Sequence, residues 1–309
     1  MPEARPGEGR LRTGGDPPPT LAFVEIRPAE PSDVPSLAEW TQDTFSWGDY
    51  IADRLPDWLQ DPRMRVLVAE DSGFPVAMGA VVMLSPTEAW AQGMRVHPEH
   101  RRRGIGTTLS EELWAWARER GAEVVRLAVE EDNAPARGQV GAMGFRKVCE
   151  FLRGGRVIGA GSPVPEGNGG RRVPPPERLS PAHSAEAEPA FLSWTTGELA
   201  RVARGLAPEG WRWRRLNSDH LVAAARSRQL FEGRPGWAIA AVREGMLHVE
   251  WVETARTDAA AMALALVDRA ADADLAEIRV WIPTVPWLRR ALQRLGFEFH
   301  ETGVWALPL

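Results

Sequence analysis

The chain has 309 residues, 44% of them hydrophobic and 26% charged, with a formal net charge of −5. That length and composition fit a globular protein of about two domains. The single cysteine, Cys149, excludes an intrachain disulfide or a cysteine-built metal centre, and no apolar run approaches the roughly 18 residues that span a bilayer. Residues 1–20 are Gly/Pro-rich and read as a disordered tail. Residues 23–27 read as a strand. A helix follows, capped by Ser32, with its apolar stripe on Val34, Leu37, Ala38 and Phe45. A shorter helix is expected over 48–59, disturbed by Pro56. Residues 65–70 and 76–84 form a hairpin turned at Asp71-Ser72-Gly73, and 88–96 is a third strand. A helix over 105–120 ends at Gly121, a buried strand covers 124–129, and a helix over 134–143 closes at Gly144. A strand over 145–152 follows, and another begins at 156.

A second Pro/Gly-rich stretch, 159–189, has the composition of a linker. It divides the chain into 21–158 and 190–309. The second block repeats the order of the first. A strand at 211–216 is followed by a helix capped by Ser218 and running to about 230. A hairpin over 237–243 and 246–252, a helix over 258–271 and a strand over 276–282 come next. The block ends with a helix over 287–295 and strands from Phe297 and Val304. Met143-Gly144-Phe145 matches Leu295-Gly296-Phe297, each after a helix that follows a buried strand, as an ancient duplication would leave.

Arg101-Arg102-Arg103-Gly104-Ile105-Gly106 joins a strand to a helix. Such a turn presents backbone N–H groups at the positive end of a helix, with glycines that admit close approach and arginines that chelate phosphate. It reads as a pyrophosphate cradle. A P-loop would need a lysine that is absent, and a dinucleotide fingerprint fails at Leu109. The turn does fill the pattern Arg/Gln-x-x-Gly-x-Gly/Ala. Met94-Arg95-Val96-His97-Pro98-Glu99 precedes it. Asn133, Ala136 and Gly144-Phe145 follow, and Ile26-Arg27-Pro28-Ala29 with Asp33 opens the block.

In this order and spacing, residues 21–158 resemble the GCN5-related N-acetyltransferase (GNAT) superfamily. The resemblance implies an α/β fold on a mixed sheet whose fourth and fifth strands splay apart. Acetyl-CoA would lie in the wedge, its pantetheine against Met94, Arg95 and Val96. Its pyrophosphate would take N–H groups from Arg102 through Thr107, with Arg101, Arg103, Gly104, Ile105 and Gly106 completing the cradle and Ala136 nearby. The Val96 N–H would face the oxyanion, and Asn133 would orient the cofactor or a water. Many relatives carry a tyrosine acid where this chain has Val140. Tyr50, the one tyrosine, is the substitute candidate, or the thiolate leaves unassisted. Glu88, Glu130, Glu131 and His97 are candidate bases. Asp49, Asp53, Asp57 and Asp61 could form an acidic rim that favours a cationic amine, with Trp47 and Trp58 as pocket walls, or simply a solvated face.

The second block has no glycine before its long helix, and Val285 and Leu292 stand where the asparagine and tyrosine would be. It reads as a degenerate tandem domain whose eight tryptophans make a core or an interface, one role being to cover the acceptor side of the first block. The expected activity is direct transfer of an acetyl group from acetyl-CoA to a primary amine of a small molecule or peptide. The alternatives are a CoA-binding regulatory protein without turnover and a pure interaction module. The expected setting is the cytoplasm, with no metal, no nucleic-acid or membrane partner, and a homodimer as one possible state.

Overall fold

The computed structural model describes residues 24–45, 48–158 and 178–309. The tail 1–20, Trp47 and most of the expected linker lie outside the described residues. The first half runs β1 (Glu25–Pro28), α1 (Val34–Thr41), α2 (Ile51–Gln60), β2 (Met64–Asp71), β3 (Phe74–Ser85), β4 (Glu88–Val96), α3 (Ile105–Glu119), β5 (Val124–Glu130), α4 (Ala134–Ala142) and β6 (Arg146–Val157). The second half runs β7 (Ser180–Pro181), α5 (Ala187–Thr196), α6 (Glu198–Val202), β8 (Leu206–Glu209), β9 (Arg212–Arg215), α7 (Ser218–Arg226), β10 (Leu230–Gly233), β11 (Gly236–Arg243), β12 (Met246–Glu253), α8 (Ala259–Asp272), β13 (Glu277–Pro283), α9 (Pro286–Gln293) and β14 (Glu298–Pro308).

Twelve strands form one mixed sheet in the order β1-β2-β3-β4-β5-β14-β6-β13-β12-β11-β10-β7, and β8 and β9 pair separately. The C-terminal strand therefore lies between two strands of the first half. β14 pairs antiparallel with β5 (Thr302 opposite Glu130) and with β6 (Thr302 opposite Phe151). β6 in turn pairs with β13, so each half contributes a strand to the other's ladder. Each half also has an antiparallel hairpin leading into a parallel pair: β3·β4 then β4·β5, and β11·β12 then β12·β13.

Two hydrophobic layers flank the sheet. Leu109, Leu113 and Trp114 of α3 pack with Phe145 on one face. A second apolar cluster runs from Leu37, Ile51 and Trp90 through Phe151 to Trp213, Trp281 and Leu288, without interruption between the halves. Burial there, at about 25 cal/mol per Å² of apolar surface, ties the halves together in addition to the strand pairing.

Several expectations are corrected. The first helix is entered through a 3-10 turn at Pro31–Asp33, closed by a reciprocal Glu30–Asp33 capping box rather than by Ser32. Asn217, not Ser218, caps α7. The expected break after Leu152 does not occur, and β6 continues to Val157. Gly154 sits where a Cβ would come 2.5 Å from Phe299 and 2.8 Å from Val280, so it lets strands pack closely instead of ending one. Likewise β14 is one strand across Gly303. Residues 178–189, expected as linker, are folded. β7 pairs with β10, Leu179 and Ala182 are buried, and α5 begins at Ala187. The few apolar side chains in that polar run decide its path.

Candidate active site

β4 and β5 are paired only at one end, where Glu88–Trp90 lie beside Val124–Arg126. Beyond that the strands part, and Ala91–Val96 face an opening. A bulge shapes it. Gly93 has φ +69°, and the register between β3 and β4 slips there. A Cβ at Gly93 would stand 2.6 Å from the Trp58 ring, so this backbone needs glycine for both space and conformation. Past the bulge, the His97 N–H donates to the Val76 carbonyl at 2.8 Å and Ala77 stands opposite Val96. That makes Ala77–Val96 a non-hydrogen-bonded pair, so the Val96 N–H points away from β3 into the opening. The Met94 side chain goes the other way, across Gly79 and against α3.

The turn after β4 is built for N–H presentation. Arg102 (φ +63°) and Gly104 (φ +80°) both adopt left-handed backbone, and Gly104 is the N-cap of α3 without a side-chain cap. Among the described residues, the N–H groups of Arg102, Arg103, Gly104, Ile105 and Gly106 have no protein acceptor. Thr107 departs from expectation, because its N–H is taken by the Gly104 carbonyl at 3.0 Å. A Cβ at Gly106 would lie 3.5 Å from Val96 and 3.6 Å from Gln139, which sets the close spacing of turn, β4 and α4. The three arginines differ. Arg101 Nε donates to the Val96 carbonyl at 3.1 Å and fixes the strand end. Arg103 contacts His100 at 2.9 Å and Asp71 at 3.9 Å. Arg102 is exposed and forms no ion pair among the described residues. The Ile105 side chain is buried under the turn.

Each of the remaining candidates has a neighbour that fixes it in the fold. Asn133 caps α4, its side-chain oxygen accepting the Ala136 N–H at 3.1 Å. Val140 packs beside Met143 on the α3 face. The Glu88 carboxylate is buried and accepts from Arg126 at 2.6 Å and from the Arg215 N–H at 3.4 Å. It lies at the closed end of β4, eight residues and about 26 Å from Val96. Glu88 is therefore a structural ion pair, not a base at the opening. Glu131 is held by Arg137 and Lys147. His97 packs among Trp40, Phe74 and His100, and its Nδ1 accepts the Glu99 N–H at 3.4 Å. Glu130, the last residue of β5, pairs with Arg153 at 3.2 Å. Cys149 is buried, and burial pushes its thiol up to about 12, which removes it as a nucleophile.

The expected acidic stripe is split: Asp53 and Asp57 lie exposed on α2, Asp61 pairs with Arg63, and Asp49 is turned inward. Asp49 precedes α2 and is 1% exposed, bonded to Arg95 at 2.7 Å. Arg95 also lies over the rings of Phe45 and Tyr50, 5.0 and 5.2 Å from their centroids. Burial works against its charge, but the Asp49 carboxylate and the Tyr50 hydroxyl hold its pKa above the usual value. Tyr50 meets Trp58 edge to face. This cluster docks the segment before α2 onto β4, which places Arg95 on the acceptor-side face and not along the cradle.

Sequence reasoning missed Gly93, although a lone glycine inside a strand is a bulge signal. It also missed the β8–β9 hairpin, which crosses the same face. Arg212 Nε donates to Gln92 at 2.9 Å, and Trp213 packs on Trp90, Phe151 and Trp281. The second half thus borders the opening at Gln92. Among the described residues no cluster of side chains suits a metal ion, and no helix is long and apolar enough to cross a membrane.

A parallel strand pair open at one end, a bulge beside the opening and an uncapped helix start form the acetyltransferase architecture of the GNAT fold. A crystal structure of a GCN5-related N-acetyltransferase from Sphaerobacter thermophilus shares that fold. It superposes with a TM-score of 0.66 at 15% identity, over 92% of this chain and 95% of that one. Residues 34–145 match the model of the acetyltransferase (GNAT) family, and the chain carries a GNAT acetyltransferase domain. A histidine N-acetyltransferase from Oreochromis niloticus is 26% identical over 138 residues, 44% of this chain and 40% of that protein. The acetyl transferase GW6a of Oryza sativa subsp. japonica is 38% identical over 110 residues, 32% of this chain and 26% of that protein. The chain thus matches well under half the length of these curated relatives.

Proposed function

We propose that the protein transfers an acetyl group from acetyl-CoA to a primary amine by direct attack. The observation that carries this reading is the set of unpartnered N–H groups from Arg102 to Gly106, beside the Val96 N–H, at the open end of β4 and β5. Five N–H donors at a helix start suit a pyrophosphate, and the exposed Arg102 guanidinium adds charge to them. The Val96 N–H, pointing into the opening, would donate to the thioester oxygen as negative charge develops on it. Met94 and Val96 offer a strand edge to an extended amide chain. Glu130 at the end of β5 is the group we assign to take the proton of the attacking amine, directly or through water. Val140 supplies no proton, so the thiolate leaves to water, which a reference thiol pKa of about 8.5 permits. The histidine N-acetyltransferase likeness supports a small amine as acceptor.

Val140 also favours a second reading, a CoA-binding regulator without turnover. Two measurements separate the possibilities. Acetyl-CoA should raise the melting temperature of the protein, because it binds only the native state. Arg102→Glu, at an exposed position with no ion pair among the described residues, should abolish that rise with the fold intact. Thiol release from acetyl-CoA across a panel of amines then tests turnover. Equal stabilisation of wild type and Arg102→Glu would reject the cradle assignment. Stabilisation without thiol release for any amine would leave the regulator.

A further inference from the structure

A groove of about 790 Å³ opens on the acceptor-side face, beyond the end of β5. It is lined by the guanidinium groups of Arg153, Arg156, Arg279 and Arg294 against two carboxylates, Glu277 and Glu298. Among the described residues, Arg156, Arg279 and Arg294 form no ion pair. The floor is cut away at Gly155, which stands opposite both Arg279 on β13 and Glu298 on β14, and a Cβ there would touch nothing within 4 Å.

Arg153 is the inner end of this groove. Its guanidinium lies 5.0 Å over the Trp211 ring at the tip of the β8–β9 hairpin. One nitrogen reaches Glu130, while its Nε is buried with no partner. Burial, opposed by Glu130 and reinforced by the neighbouring Arg279, holds its pKa below the usual guanidinium value. Arg153 on β6 and Arg279 on β13 thus stand two register positions apart with like charge, and they gain most from an oxyanion that bonds both.

A second, smaller cavity of about 280 Å³ adjoins the first through His300 and has the opposite charge. Glu130, Glu131, Asp132 and Glu301 line it at the end of β5. The surface is therefore polar along its length: carboxylates next to the opening between β4 and β5, guanidiniums further out. From Thr302, opposite Glu130, to Glu298, beside Gly155, β14 advances four residues, or about 14 Å.

Resting on the transfer reading above, we propose that the acceptor is an amine that also carries an oxyanion, a carboxylate or a phosphate. The amine sits at the Glu130 end and the oxyanion is held by Arg153 and Arg279. Of the aspartates that suggested a cationic acceptor, Asp49 is neutralised by Arg95 and Asp61 by Arg63.

The test uses paired probes on the full chain: free amino acids and dipeptides against their C-terminal amides, and aminoalkyl phosphates against the corresponding amino alcohols. Binding is read by calorimetry in the presence of CoA, and turnover by thiol release with acetyl-CoA. At least one acid should bind tenfold or more tightly than its neutral partner, and the carboxylate and phosphate arms identify which oxyanion fits. Arg279→Glu, at an exposed position, should reduce that preference to within twofold, with circular dichroism and melting temperature checking the fold. Arg294→Glu should reduce it less, being further from Arg153. A panel in which no acid is preferred, or a preference that survives Arg279→Glu, overturns the assignment. An intact binding preference with no thiol release from any probe would instead reject the transfer reading and leave the oxyanion site standing.

Discussion

Glu88 and Arg126 close the paired end of β4 and β5 with a 2.6 Å hydrogen bond, both side chains about nine-tenths buried. The pair fixes where the two strands begin to separate, and so where the opening starts. Removing one partner strands a buried charge, whereas an amide keeps a hydrogen bond. Glu88→Ala should cost about 3–5 kcal/mol of stability, and Glu88→Gln much less, with the rate of transfer within about twofold of wild type. Glu130→Gln should behave oppositely, with near-native stability and a kcat lowered by roughly a hundredfold. Urea unfolding and steady-state kinetics on the three variants check this. A hundredfold loss of kcat in stable Glu88→Gln would return Glu88 to the chemistry.

The bulge at Gly93 carries a second expectation. An alanine there would hold φ near +69° and press its methyl on Trp58. The strain and overpacking together should cost about 2–3 kcal/mol. Because the bulge sets the direction of the N–H groups that follow, acetyl-CoA binding should weaken by about tenfold, the worth of one hydrogen bond. Calorimetry of CoA binding and thermal unfolding measure the two effects. A variant with the predicted stability loss but native CoA affinity would separate the bulge from the cofactor site.

These residues mark what was legible in the sequence. The Arg101–Gly106 turn could be read because left-handed backbone and a helix start are short-range properties. Its charges could not be apportioned, since Arg101 and Arg103 are drawn to Val96 and His100 by a local geometry that spacing does not encode. Glu88 was misread for a different reason. Its partner is 38 residues away, and only strand register brings the two together. The same holds for Glu130 and Arg153, 23 residues apart. Asp49, Asp53 and Asp57 keep a four-residue spacing, but α2 starts at Ile51, so Asp49 is off the helix and free to turn inward to Arg95.

Arg27 and Asp33 offer a test by pH. The guanidinium donates to both Asp33 oxygens, at 2.8 and 2.7 Å, and the Glu30 N–H donates at 2.8 Å. Burial raises the Asp33 pKa, but these bonds outweigh it and hold the carboxyl below the usual range. A depressed native pKa contributes stability above the unfolded value of about 3.9, and that stability is lost as pH falls through the native value. Asp33→Asn should therefore be less stable than wild type by about 2 kcal/mol near neutral pH. The gap should narrow below about pH 4. Urea midpoints from pH 7 to pH 3 measure it. A gap that stays constant across that range would mean the carboxylate charge is not what Arg27 recognises.

The strongest consequence comes from β14. Strands are expected from Phe297 and Val304, but period-two patterning does not say which strand will be the neighbour. In the fold, Thr302–Pro308 pair with β5 and Glu298–Ala306 with β6, so the last strand of the second half completes the sheet of the first. Composition divides the chain near residue 159. The ladder does not, because a chain ending at Val157 would expose a full edge of β5 beside the candidate active site. Two halves exchanged in this way should unfold together. The full chain should give one cooperative transition, with coincident tryptophan fluorescence and circular dichroism. A chain truncated before Glu298 loses two ladders and part of the shared apolar layer, together comparable to a total stability of about 5–15 kcal/mol. It should be insoluble or molten and fail to bind acetyl-CoA. A soluble 1–297 chain with native acetyl-CoA affinity would show instead that the GNAT domain folds and works without the strand it receives.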